Sequence, residues 1–346
     1  MTNENDVLTD IMQYIYPGNT RIVIPGNFKK IDVLNCNSNK SVVTVEFGGS
    51  VAQWESVKGK DNLLKTVSAR VVKCTDGEWQ VPVLYIEDGV LVRCYDKSVT
   101  SVVIPEGVTE IGRMAFYHCN SLKKVVIPAS VKSIGEDAFW GCYSLETVVI
   151  PEKGLVEIGI SAFDRCKSLS SIVIPESVKT IGDYAFNECT SLETVAIPEG
   201  IKEIGDGLFS NCEALKSVVI PESVTIIGSG AFRYCKSLET VLIPERLEII
   251  QEEVFAGCEA LKSIVIPDNV LIIFAWTFSG CTSLASVVIP GGVTEIEKDA
   301  FAECTSLETV DFGGTVAEWK EVIKDSGWNE NVPAKDVRCS NGYANL

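Results

Sequence analysis

The chain has 346 residues, 46% of them hydrophobic, and 47 acidic against 30 basic side chains give a net charge of −17. An acidic balance of this size argues against nucleic acid and anionic membrane surfaces as partners, because both need a basic footprint. No run of about 20 apolar residues is present to cross a bilayer, so membrane insertion is not expected.

The opening stretch, MTNENDVLTDIMQYIY, carries acids where a secretory signal carries lysine or arginine. From this stretch alone the chain is expected to stay inside the cell or to lack its original signal. Val7, Leu8, Ile11, Met12 and Ile15 fall on one face at helical spacing, which predicts an amphipathic helix over 5–16. Pro17-Gly18-Asn19 ends it. RIVIPGNFKKIDVL (21–34) resembles a degenerate copy of a phrase that recurs later.

An internal duplication follows. TVEFGGSVAQWESV (44–57) matches TVDFGGTVAEWKEV (309–322) at nine of 14 positions, and each copy closes on a related phrase, KCTDG (73–77) and RCSNG (338–342). Both read as terminal caps, each with a helix after the Gly-Gly turn whose Trp54 or Trp319 covers the last core layer. A repeat array needs such caps because its end layer would otherwise face water. Residues 81–104 read as short strands, Val81 to Ile86, Val90 to Cys94 and Val99 to Ile104, with turns at Glu87-Asp88-Gly89 and Asp96 to Ser98. The expected divisions are 1–77, a hairpin module 78–104, an array 105–312 and a cap 313–346.

From Pro105 one phrase repeats nine times, beginning at Pro105, Pro128, Pro151, Pro175, Pro198, Pro221, Pro244, Pro267 and Pro290. The step is 23 residues and once 24, where Lys153-Gly154 adds one. A fixed period of this length predicts a solenoid, in which each unit buries its apolar face against its neighbours. Within a unit, Val125 and Ile127 alternate with Val126 as in a strand, and Pro128 ends it. Val131 and Ile134 form a second apolar pair, Gly135 permits a turn, and Ala138-Phe139 read as a brief helical segment.

The unit C-x-S-L-x-x-V-x-I-P-x-x-V-x-x-I-G-x-x-A-F resembles the BspA-like, or treponemal-type, leucine-rich repeats, and the FGG-x-x-x-x-W segments are similar to those that end such arrays. The resemblance implies an α/β repeat solenoid: a right-handed coil with a parallel concave sheet, short strands and helical turns on the convex side, and capped ends. For function it implies surface or secreted binding proteins of host-associated microbes and some protists, used in adhesion.

Each motif position becomes a column along such a coil. The strand residue expected to face solvent on the concave sheet is Val103, Val126, Val149, Val173, Ala196, Val219, Leu242, Val265 and Val288, then Asp311. The row is either plain strand propensity or a protein-binding or self-associating face. After each proline stands an acidic column containing Glu152, Glu176, Glu199, Glu222, Glu245 and Asp268. These are either solvated turn residues or a rim for a cation or basic partner. Beside them Glu193, Lys216, Glu239 and Lys262 alternate in sign, which suits cross-strand pairing.

Nine cysteines, Cys119 to Cys304, recur at the repeat period without the close pairs of a zinc site, and they read as free buried thiols. Ile226, Ile249 and Ile272 occupy a column that is polar elsewhere, and Phe274 and Trp276 lie nearby. This spot is either an interface, as in a homodimer, or local repacking. Tyr117, Trp140 and Tyr143 form a smaller aromatic group.

His118 is the only histidine, so a His-based triad has no second candidate, and no glycine-rich phosphate loop opens a helix. No catalytic residues, metal or cofactor are expected. The sequence points to a non-enzymatic scaffold binding a host or other partner protein along the concave sheet. An intracellular or self-assembling scaffold is the alternative.

Overall fold

The computed structural model describes residues 7–8, 21–31, 44–58, 60–64, 69 and 71–346. The chain divides into two compact units, 1–85 and 86–346.

In the first unit, strands Arg21–Ile24, Thr44–Phe47 and Val71–Cys74 lie parallel, and Gly77–Gln80 turns back antiparallel at the edge. Ile22, Ile24, Val45, Phe47 and Val72 alternate inward and are buried, the period-2 pattern of a half-buried strand. Helix Val51–Ser56 begins with a capping box in which Ser50 Oγ accepts from the Gln53 N–H and Gln53 Oε1 accepts from the Ser50 N–H. The helix expected over 5–16 is corrected at its start. Val7–Leu8 is a strand, held by parallel pairing with Lys30–Ile31, and residues 9–16 lie outside the described residues.

The array fills the second unit. Each coil contributes a three-residue strand such as Lys124–Val126 and a two-residue strand such as Ser133–Ile134, and both pair in parallel with their copies in the neighbouring coils. The register is 23 residues from Lys124 to Thr147 but 24 from Ser133 to Glu157, so the extra residue is absorbed between the two strands. It is taken up at Gly154, whose φ of +124° is open to glycine, and whose absent Cβ would collide with the Ala129 carbonyl.

The expected helical turns are not helices. In the first coil the N–H groups of Ala115, Tyr117 and Cys119 reach back three residues to Gly112, Met114 and Phe116. Those of Met114, Phe116 and His118 instead donate to Glu136, Ala138 and Trp140 of the next coil, at 2.7–3.0 Å. Met114 and His118 have φ of +56° and +54°, and each later coil places two residues in the same left-handed region. A left-handed residue breaks an α-helix, and donors given to the next coil are unavailable for i→i−4 bonds. The segment is therefore a third ladder between coils, built of turns.

Between the ladders lies the core. The phenylalanines that recur once per coil from Phe116 to Phe301, Phe274 not among them, are fully buried, and consecutive rings stack with centroids 4.9–5.6 Å apart. The stack ends edge-on against Trp328, 6.2 Å away, which in turn meets Trp319. Helix Val316–Glu321 carries Trp319 inward and is capped by Thr315 and Glu318 as the first unit's helix is by Ser50 and Gln53. Even the closing phrases serve alike: Asp76 Oδ1 accepts the Val51 N–H at 2.7 Å, and Asn341 Oδ1 accepts the Val316 N–H at 2.8 Å.

Candidate protein-interaction surface

On a strand of this sheet, neighbours of an outward residue point inward, so outward side chains repeat with the coil. Val102, Val125, Ile172, Val218 and Ile264 are buried, while Val103 and Val173 are 69% and 75% exposed. Val219, Leu242 and Val265 are exposed to a similar degree, and Val149 and Val288 less so. Val126 is half-buried and Ala196 exposed. Cross-strand register aligns Val103 with Val126 and Val149, Val173 with Ala196, Val219 with Leu242, and Val265 with Val288 and Asp311. The structure thus brings the predicted valine row onto one face.

Two residues before each of these stands a column that sequence reasoning did not single out: Ser101, Thr147, Ser171, Thr194, Ser217, Thr240, Ser263, Ser286 and Thr309, interrupted by Lys124. Its signal was present in the alternation of the strand itself. Hydroxyls beside methyls give the face both hydrogen-bonding and apolar character. A 320 Å³ hollow on it is lined by Thr240, Leu242, Ser263, Val265, Glu245 and Pro267 among others. At the rim Lys216 meets Glu193 at 2.7 Å and Lys123 meets Glu146 at 3.0 Å, and Lys262 pairs with Glu239. These exposed pairs fix register more than they add stability.

The acidic residues Glu152, Glu176, Glu199, Glu222, Glu245 and Asp268 are all exposed along the turn that follows the sheet. Among the described residues, no group of three or more His, Cys, Asp or Glu side chains converges as a metal site would require. Ile226, Ile249 and Ile272 share the outward column of the second sheet and are half-buried, as is Phe274. Leu271 and Ile323 nearby are exposed. Trp276 instead lines a cavity on the turn face with Tyr234.

The early aromatic group is a stack. Tyr117 lies on Trp140 with centroids 5.0 Å apart, and the Arg165 guanidinium covers the far side of Trp140 at 5.0 Å. Trp140 Nε1 donates to Asp164 Oδ2 at 2.8 Å and Asn187 Nδ2 to Asp164 Oδ1 at 3.0 Å. Burial pushes the Asp164 carboxyl up, and these two donors oppose that. His118 sits edge-on to Trp140, within the same cluster.

Twelve cysteines among the described residues are free thiols, and the array cysteines are buried. Burial pushes Cys142 and Cys304 up to about 12. At the head of the row the neighbouring Cys94 thiol, and Lys97 Nζ 3.4 Å from Cys119 Sγ, hold the Cys119 thiol below its ordinary value against the effect of burial. Among the described residues no helix is long and apolar enough to cross a membrane.

Comparison with known proteins agrees with this architecture. The leucine-rich repeat protein of T. pallidum is 39% identical over 50% of this chain and 82% of its own, with a TM-score of 0.47. A leucine rich cell surface protein from Faecalibacterium prausnitzii is 28% identical over 93% of this chain and 86% of its own, with a TM-score of 0.50. No curated protein matches the sequence. The profile of the BspA type leucine rich repeat region matches residues 92–216 and 202–323. Proteins with such repeats are in general protein-interaction scaffolds and typically not enzymes. With the profile matched over more than half its length, the chain belongs to the BspA-type leucine-rich repeat family.

Proposed function

We propose that the protein is a non-enzymatic, adhesin-like scaffold at the cell surface or secreted, which takes a protein partner along the sheet bearing Val103 to Val288. The observation that carries this reading is the exposed row itself. Val173, Val219, Leu242 and Val265 are each 60–75% exposed, in a line, beside a column of hydroxyls. Soluble proteins seldom leave a contiguous apolar row uncovered unless something covers it. That the similar Faecalibacterium prausnitzii protein is a cell surface protein supports the location.

Binding of the purified chain to immobilised matrix proteins and to epithelial cells tests the reading, with the Val173→Glu/Val219→Glu variant beside it. Saturable binding that the variant loses while keeping its melting temperature is the expected result. Equal binding by both forms contradicts the role of this face.

A second reading is favoured by the half-buried Ile226, Ile249 and Ile272 with exposed Leu271 beside them. A homodimer through this patch would appear in light scattering, and Ile249→Glu would return it to a monomer.

A further inference from the structure

The turn face carries three exposed aromatic rings, Tyr184, Tyr234 and Trp276, in the fourth, sixth and eighth coils. Consecutive rings are therefore two coils, or about 10 Å, apart along the array. All three residues have left-handed backbone, with φ of 57°, 58° and 54°. Other coils place glycine at the equivalent positions, at Gly207, Gly230, Gly257 and Gly280. Elsewhere they hold side chains such as Met114, Arg165, Glu253 and Asp299, so the left-handed backbone belongs to the turn and the aromatic rings are what set these three coils apart.

Each tyrosine lies over a glycine of the following coil. A Cβ on Gly207 would collide with Tyr184, and one on Gly257 with Tyr234. Between Tyr234 and Trp276 this leaves a 390 Å³ cavity floored by Gly257, Gly280, Ala256 and Ser279. Its ends are fixed. The Arg233 guanidinium packs on the Tyr234 ring at 4.7 Å, and Trp276 Nε1 donates to Asp299 Oδ2 at 3.2 Å. Arg233 also pairs with Glu253, and both side chains are shared with an adjoining 240 Å³ cavity that runs on to Tyr184.

We propose that this groove binds an extended, neutral, β-linked glycan. A pyranose ring with equatorial hydroxyls has flat C–H faces that stack on aromatic rings, and a rim of hydroxyls that needs donors and acceptors. The groove supplies both: rings from Tyr184, Tyr234 and Trp276, and polar atoms from Arg233, Glu253 and Ser279. Arg233, the cation among its lining residues, is already paired with Glu253, and the protein's net charge is −17, so an anionic glycan is disfavoured. The site lies on the turns rather than the sheet of exposed valines, and it stands whether or not that sheet takes a protein.

Affinity electrophoresis of the full chain tests this, in gels containing xylan, glucomannan, mixed-linkage β-glucan or hydroxyethylcellulose. At least one of the four should retard the protein. Trp276→Gly, copying Gly230 two coils back, or Tyr234→Gly, copying Gly257 of the next coil, should weaken that retardation at least tenfold without changing the circular dichroism. Trp276→Asp, copying Asp299, is the second choice should glycine disturb the fold. Val173→Glu/Val219→Glu should be retarded like the wild type. Free migration in all four gels overturns the proposal, as does retardation that the Trp276 and Tyr234 variants both keep.

Discussion

The Cys142 thiol donates to the carbonyl oxygen of Phe116, one coil back, at 3.1 Å. The same pair recurs at each later coil, as far as Cys304 and Phe278 at 3.1 Å. Each of these carbonyls also accepts the N–H of the cysteine three residues on, as Phe116 does from Cys119 at 2.9 Å. The thiol thus uses a second lone pair that the turn leaves open. It joins coils on the inside, where a weak donor small enough to fit beside the phenylalanine stack is needed.

Thiol titration follows from this burial. Ellman's reagent should leave Cys142 to Cys304 unreacted in the native protein and find at least the twelve described cysteines after unfolding without reductant. Cys119, with Lys97 beside it, should be the first of the row to react. Rapid native reaction along the whole row, or fewer than twelve thiols after unfolding, would contradict the thiol ladder.

Alkaline pH should unfold the array. In the unfolded chain a thiol ionises near 9, whereas Cys142 and Cys304 keep their protons up to about 12 because burial disfavours the thiolate. Below pH 9 both states are protonated and the stabilisation is complete. Above it the unfolded chain sheds protons that the fold retains, and stability falls by about 1.4 kcal/mol per pH unit for each such thiol until the folded value is reached. The urea midpoint should be level from pH 7.5 to 8.5 and drop sharply by pH 10, less steeply in Cys189→Ala/Cys212→Ala. A midpoint level to pH 10.5 would refute the mechanism.

The C-terminal cap should fail before the array does. Trp319→Ala opens a hole beneath Phe312 and Trp328 and should cost about 3–5 kcal/mol. Thr315→Ala removes half of the capping box and should cost about 1 kcal/mol. Hydrogen exchange in the tryptophan variant should speed up first in Thr309–Phe312 and Asp336–Cys339. Uniform acceleration through Lys124–Val126 would show that the cap does not act locally.

Gly154→Ala should destabilise the array by about 1–3 kcal/mol, because it forces a side chain into a strained φ and against the Ala129 carbonyl. Gly107→Ala is the control: its φ is +91°, but no atom lies near the built Cβ. Thermal melts in which Gly107→Ala costs as much would assign the whole effect to φ and none to the close approach.

Much of this was legible in the sequence because a repeat states each position many times. The alignment of the valines, the Glu193–Lys216 and Glu239–Lys262 pairs and the short helices that bury Trp54 and Trp319 follow from column and spacing alone. The turn segment was misread as helical because Ala138-Phe139 are compatible with a helix. Left-handed backbone at Asp137 and Gly141 is what forbids it, and aspartate and glycine are only weak signs of that. Val7–Leu8 was misread because a two-residue strand is too short for periodicity to separate from a helix turn. The groove at Tyr234 and Trp276 stayed hidden because its residues come from different columns of different coils, joined only by how the turns stack.

The most direct test is to compare three variants for binding to matrix proteins and epithelial cells: Val173→Glu/Val219→Glu on the first sheet, Ile249→Glu on the second, and Trp276→Gly on the turns. If the first sheet is the partner surface, only the double valine variant loses protein binding, and all three melt like the wild type or within a few degrees of it. Protein binding that survives in the valine variant and disappears in either of the others would contradict the account.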